Sequence, residues 1–253
     1  MTRFGGYADV VCAPLAQTFV RPPDMPAAIG AALPVNYITA WQLVVVMGGL
    51  GKNETMLVHS AGGGVGIAAT QIARHIGARV IGTASSAKHE ALAAMGADHL
   101  IDYTREDFEA RVREITGGRG VELILDAVGG DSVRKGLRIL APTGRIGMFG
   151  ASSLATGRKR DLRAFLAFAL RTPWLKFNPI ALMNENKGVF GVNVGHMWGE
   201  TERIGGWFHD ILDLWTQGAI APQIARTFPF EEAGAAHEFI QSRRNLGKVL
   251  LTP

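Results

Sequence analysis

The residues best placed to do chemistry are Ala61-Gly62-Gly63-Gly64-Val65-Gly66, a glycine-rich run that follows a short apolar stretch and opens an amphipathic one. A strand-to-helix turn of this composition suits a dinucleotide. Gly63 lets the backbone approach a pyrophosphate, and Gly66 lets helix and strand pack closely. The helix beginning at Gly64 and Val65 adds free N–H groups and the positive end of the helix dipole. Ala61 takes the first glycine position of the pattern. About twenty residues further on, an NAD site places Asp or Glu for the ribose hydroxyls. Here the sequence reads Thr83-Ala84-Ser85-Ser86-Ala87-Lys88. Hydroxyls and an ammonium at that place suit a 2′-phosphate, so Ser85 and Lys88 predict NADPH rather than NADH. Tyr103, ending the next strand, can donate its phenol to the same phosphate.

Such residues need a sheet and helices to hold them. Apolar, β-rich runs at residues 56–59, 80–83, 100–103, 121–127 and 145–149 alternate with helical patterns at 67–76, 89–95, 108–115 and 132–140. Runs apolar on both faces at this rhythm predict a buried parallel sheet of βαβ units. Gly77, Gly96 and Gly144 stand where helix C-caps turn left-handed, and Thr104 and Asp131 where N-caps fall. A sixth strand at 189–194 follows an excursion over 151–188. Helices at 202–215 and 231–243 and a strand at 248–251 close the chain, while residues 7–12 read as a lone strand. The fold class is α/β, a doubly wound Rossmann sheet.

Composition excludes several alternatives. With 253 residues, 47% apolar and 19% charged, the chain has a core to bury and is not a disordered one. The single cysteine, Cys12, excludes an internal disulfide framework or a four-cysteine zinc site, and the seven histidines show no ligand spacing, so no metal is predicted. The residues four after Tyr7, Tyr37 and Tyr103 are Val11, Trp41 and Asp107, so the Tyr/Lys pair of a short-chain dehydrogenase is missing. Gly48-Gly49-Leu50-Gly51-Lys52-Asn53 has the wrong spacing for a triphosphate loop and reads as a turn. Residues 27–51 carry no charge, but Pro34, Asn36 and Gln42 interrupt them, which argues against a membrane span. Residues 1–9 lack the apolar segment of a secretory signal, which predicts a cytoplasmic setting.

Taken together, Gly5-Gly6-Tyr7-Ala8, Leu33-Pro34-Val35-Asn36-Tyr37-Ile38-Thr39-Ala40, the glycine-rich turn, Gly82-Thr83-Ala84-Ser85, Ile101-Asp102-Tyr103, Gly157-Arg158-Lys159-Arg160 and Asn245-Leu246-Gly247-Lys248-Val249-Leu250-Leu251 carry a resemblance. The chain resembles the medium-chain dehydrogenase/reductase superfamily, in its zinc-independent quinone oxidoreductase branch. It is similar there to vesicle amine transport protein 1-like members. The resemblance implies transfer of a hydride from NADPH to a quinone or an α,β-unsaturated carbonyl, without zinc, by a homodimer paired near residues 189–194. It implies that Thr39, opening a helix, lies near the nicotinamide, with Asn36 one turn earlier facing the cleft. Asn36 is the best polar candidate for a catalytic role, and protonation falls to water. Val128-Gly129 and Phe149-Gly150 would line the nicotinamide pocket, and Asn245 and Lys248 would reach back to the cofactor.

Members of this family begin with a GroES-like domain of roughly a hundred residues. The resemblance makes residues 1–29 and 220–253 remnants of that β domain, around a Rossmann domain at 30–219, with apolar surface left uncovered. Two readings stand at this point: a reductase whose remaining residues lie upstream, and a shortened, catalytically weak NADP-binding protein. A third concerns Arg158, Lys159, Arg160, Arg163, Arg171 and Lys176, which face the single Asp161. This segment reads as a solvated basic face over the cleft, as a subunit contact, or as an amphipathic membrane-surface helix. Nucleic acid is not expected.

Overall fold

The structure, a computed structural model, describes residues 5–151 and 177–253. Helix α1 (Ala27–Trp41) continues through one π-helical turn (Gln42–Val46) to strand β1 (Thr55–Val58). Then come α2 (Gly64–Ile76), β2 (Arg79–Ala84), α3 (His89–Ala94), β3 (His99–Asp102), α4 (Phe108–Ile115), β4 (Val121–Asp126), α5 (Asp131–Arg138) and β5 (Leu140–Met148). Helix α6 (Pro179–Glu185), β6 (Gly188–Gly191), α7 (Thr201–Thr216), β7 (Ile224–Pro229), α8 (Ala233–Gln241) and β8 (Lys248–Thr252) follow. Six strands pair in parallel in the order β3-β2-β1-β4-β5-β6. This is the doubly wound dinucleotide order, and its reversal between β1 and β4 opens a crevice at the strand C-terminal ends. Strands β7 and β8 form a separate parallel pair.

Alternation along the strands explains the two apolar layers. Met56 and Val58 of β1 face Leu33, Tyr37, Leu43, Ile67 and Ile211 of α1, its π turn, α2 and α7. Leu57, with Ile81, Ile101 and Ile146, faces Val112 and Val133 of α4 and α5. Residues 27–46 are long and apolar enough to cross a bilayer by length and composition, yet Leu33, Ile38 and Leu43 are fully buried in the first layer. The Tyr37 hydroxyl donates to Gln71 Oε1 at 2.7 Å. Gln71 in turn exchanges two hydrogen bonds with the backbone of Ala221. That chain of contacts ties the segment leading to β7 onto α1 and α2.

Several local expectations are corrected. Residues 7–12 form no strand; they lie on the surface, with Val10 82% exposed, and no strand among the described residues pairs with them. Asp107, rather than Thr104, caps α4 by accepting from the N–H groups of Glu109 and Ala110, and Gly130 stands at the N-cap of α5 ahead of Asp131. Gly77 and Gly96 are left-handed as expected, but near residue 144 it is Thr143 that carries the positive φ, +66°. Strand β7 was not expected, because Arg226 and Pro229 interrupt its apolar pattern.

Candidate active site

The glycine-rich turn is built by backbone constraint. Ser60 turns left-handed at φ +57°, and the N–H of Ala61 donates to the carbonyl of Thr83 at 3.0 Å, fixing the turn to β2. A Cβ at Gly66 would stand 2.6 Å from the Ser60 oxygen and 2.7 Å from that of Ala61, so α2 leaves β1 at a distance open only to glycine. Gly63, at the N-cap of α2, brings no capping side chain. The N–H groups of Gly64, Val65 and Gly66 therefore have no acceptor within the helix. With the helix dipole behind them, they form an anion-binding end.

The C-terminal segment closes directly on this turn. Gly247 donates its N–H to the Gly62 carbonyl at 2.9 Å. Its own φ is +94°, and a Cβ there would lie 2.2 Å from the Gln223 oxygen, so only glycine passes. Lys88 reaches over from the loop after β2, lying across Gly62 beside Leu246. Its ammonium donates to the carbonyls of Asn245 at 2.6 Å and Arg243 at 2.8 Å. Burial holds Lys88 below the ordinary lysine value. Of its three donors, one remains for a ligand.

A cleft of about 370 Å³ opens where these parts meet, lined by Tyr7, Ala31, Asn36, Gly64, His237, Asn245, Gly247 and Lys248 among others. Asn36 is buried, its Nδ2 donating to Ala32 at 3.4 Å, and it fills the space a Cβ at Gly64 would take. Burial lowers the Lys248 ammonium too. Tyr7 and His237, from opposite ends of the chain, meet at 3.2 Å between phenol oxygen and Nε2. Thr39 lies one turn beyond Asn36, near the end of α1 instead of opening a helix, with its hydroxyl on the Val35 carbonyl at 2.6 Å.

Two further loops emerge at strand ends. Asp126, fully buried at the end of β4, accepts from the N–H groups of Val128 and Gly129 at 2.8 and 2.7 Å and from the Ser132 hydroxyl. Its carbonyl takes the Phe149 N–H at 3.0 Å, and Gly150 packs against Ala127. Val128, Gly129, Phe149 and Gly150 are thus gathered in one place, although none lines the cleft described above. Beneath them His59 contacts Thr83 at 3.2 Å and packs its ring edge-on against Phe108. Ser85 and Tyr103 leave the ends of β2 and β3, Ser85 half-buried and Tyr103 44% exposed. The basic cluster at 158–176 lies outside the described residues.

The sequence reading missed the closing role of Gly247, the anchoring role of Asp126, and the Tyr7–His237 pair. Only Gly247 left a local signal, a glycine after Asn-Leu where a chain must turn. Among the described residues no group of His, Cys, Asp and Glu could hold a metal ion.

A family profile described as zinc-binding dehydrogenase matches residues 64–204. The human synaptic vesicle membrane protein VAT-1 homolog is 39% identical over 256 residues, covering 100% of this chain and 64% of its own length. The quinone oxidoreductase of Pseudomonas syringae pv. Tomato superposes with a TM-score of 0.83 at 27% identity, over 98% of this chain and 72% of that one. A mycobacterial protein complexed with NADPH superposes at 0.80 with 28% identity, over 95% and 70%. The chain spans 64% of the human relative and 52% of the Danio rerio one. The chain belongs to the medium-chain dehydrogenase/reductase superfamily, in the branch of VAT-1 homologues and quinone oxidoreductases.

Proposed function

We propose that this chain binds NADPH and, without zinc, directs a hydride to a quinone or to the β-carbon of an α,β-unsaturated carbonyl. The observation that carries the reading is the uncapped start of α2, at a turn only glycine can make, opening into the cleft that Asn36 and Lys248 line. The residues present fit the group: the N–H groups of Gly64, Val65 and Gly66 and the Lys248 ammonium would neutralise its pyrophosphate. Ser85, Lys88 and Tyr103 would take the 2′-phosphate, the last with its phenol exposed at the strand end.

When bound, the reduced nicotinamide supplies the hydride and the protein supplies orientation. Thr39, Val128, Gly129, Phe149 and Gly150 would shape the nicotinamide pocket, with Asp126 fixing its β4 side. Asn36 would donate a hydrogen bond to the acceptor's carbonyl oxygen as negative charge develops there, and water would return the proton. Asn245 would hold Lys88 in place through its carbonyl. A neighbouring structure complexed with NADPH and a quinone oxidoreductase of the same fold support this assignment. In the same reading, residues 1–29 and 220–253 form one unit and 30–219 the cofactor domain. A homodimer pairs along β6, and the setting is cytoplasmic.

Exposure of Val10, Leu15 and Val20 favours a second reading for turnover: a cofactor-binding chain whose acceptor side is incompletely walled. Consumption of NADPH on adding a quinone or an enone tests the two. Steady turnover supports the reductase, and tight NADPH binding without consumption supports the second reading.

A further inference from the structure

Resting on the NADPH reading, we propose that Asp102 is the positioning residue for 2′-phosphate selection, fastening together the two loops, 85–88 and 103–106, that would close on that phosphate. Ala84 of β2 and Asp102 of β3 are register partners, so Ser85 and Tyr103 leave the sheet side by side. Asp102 is buried, the residue as a whole 5% exposed, and its side chain spends both oxygens on these loops. Its Oδ1 accepts from the Thr104 N–H at 3.0 Å and the Thr104 hydroxyl at 2.6 Å, and its Oδ2 from the Ser86 N–H at 3.3 Å. Its carbonyl accepts from Arg105 and Glu106, and its N–H donates to Glu106 Oε2 at 2.8 Å. No other described side chain joins the loop after β2 to the loop after β3.

Those hydrogen bonds lower the carboxyl pKa to about 2, and an ionised carboxylate only accepts. The consequence is selective. NADPH and NADH differ solely in the group expected at these loops, so loosening them should act on the phosphate and leave the rest of the site alone. Asn at position 102 can still accept from Thr104, but its NH2 would face the Ser86 N–H, donor against donor, and keep only a contact to the Ser86 hydroxyl, which loosens the first loop. Charge alone argues the opposite: removing a carboxylate near a phosphate should tighten it. The two effects therefore differ in sign.

The test is calorimetric titration of the full chain and its D102N variant with adenosine 2′,5′-bisphosphate and with AMP. The expected result is about tenfold weaker binding of the bisphosphate, the loss of one positioning hydrogen bond, with AMP changed by less than about twofold. Tighter bisphosphate binding, no change, or equal weakening of both ligands would overturn the proposal. Should D102N fail to fold, Thr104→Val removes only the hydroxyl contact, and a smaller loss confined to the bisphosphate is expected. If the parent chain does not prefer the bisphosphate over AMP, the NADPH reading itself fails and the role of Asp102 falls with it. A preference kept intact in D102N sinks the inference alone.

Discussion

The Lys88 ammonium lies 2.6 Å from the carbonyl oxygen of Asn245, a contact between residues 157 positions apart. With the Gly247 N–H on Gly62, it clamps the C-terminal segment over the glycine-rich turn. One lysine thus serves two purposes: two of its donors close the site, and the third is left for an anion. Because burial already disfavours its charge, a phosphate beside it should be bound strongly.

Gly66→Val should be the most damaging single change at the turn. The new Cβ would meet backbone oxygens of Ser60 and Ala61 at 2.6 and 2.7 Å, and backbone yields less readily than a side chain. A loss of ~2 kcal/mol or more, read by urea unfolding, together with loss of NADPH binding, is expected. A variant as stable as its parent would show that α2 does not leave β1 as described.

Tyr37→Phe removes the phenol that donates to Gln71 at 2.7 Å while keeping the apolar ring in place. Burial pushes that phenol well above its ordinary range, so it acts only as a neutral donor. The expected cost is about 1 kcal/mol, seen as a lower urea midpoint with cofactor affinity little changed. An unaltered midpoint would contradict the link from α1 through Gln71 to Ala221.

His59 gives stability a pH dependence. Burial, opposed in part by the Asp126 charge, lowers it from the ordinary 6.5. The unfolded chain therefore takes a proton near that value while the folded chain does not, so stability falls as pH drops below it. Thermal unfolding between about pH 7.5 and about pH 5.5 should show Tm falling in the parent and a flatter profile in His59→Gln. Parallel profiles would remove His59 as the cause.

The β6 edge, Gly188–Gly191, has a partner strand on one side only among the described residues. Pairing of two such edges predicts a dimer by gel filtration, shifted toward monomer by Phe190→Lys. A parent chain that elutes only as monomer would refute it.

Much of the sheet was legible because its strands are apolar on both faces, as Leu57 and Val58 show by feeding opposite layers. The glycine turn was legible because Gly66 answers to a steric demand that no other residue meets. Strand β7 was hidden, since Arg226 and Pro229 break its pattern and its existence depends on pairing with β8. Residues 7–12 have the composition of a strand but pair with none among the described residues. The Lys88–Asn245 clamp and the Asp126 cage could not be read, because each depends on where distant backbone atoms come to rest.

Fluorescence titration of the purified chain with NADPH and NADH, repeated on Lys88→Ala, tests most directly whether the cofactor site recognises a 2′-phosphate. The prediction is tighter binding of NADPH than NADH, with NADPH weakened at least about tenfold by Lys88→Ala and NADH much less. Equal binding of the two nucleotides, or no binding of either, would contradict it.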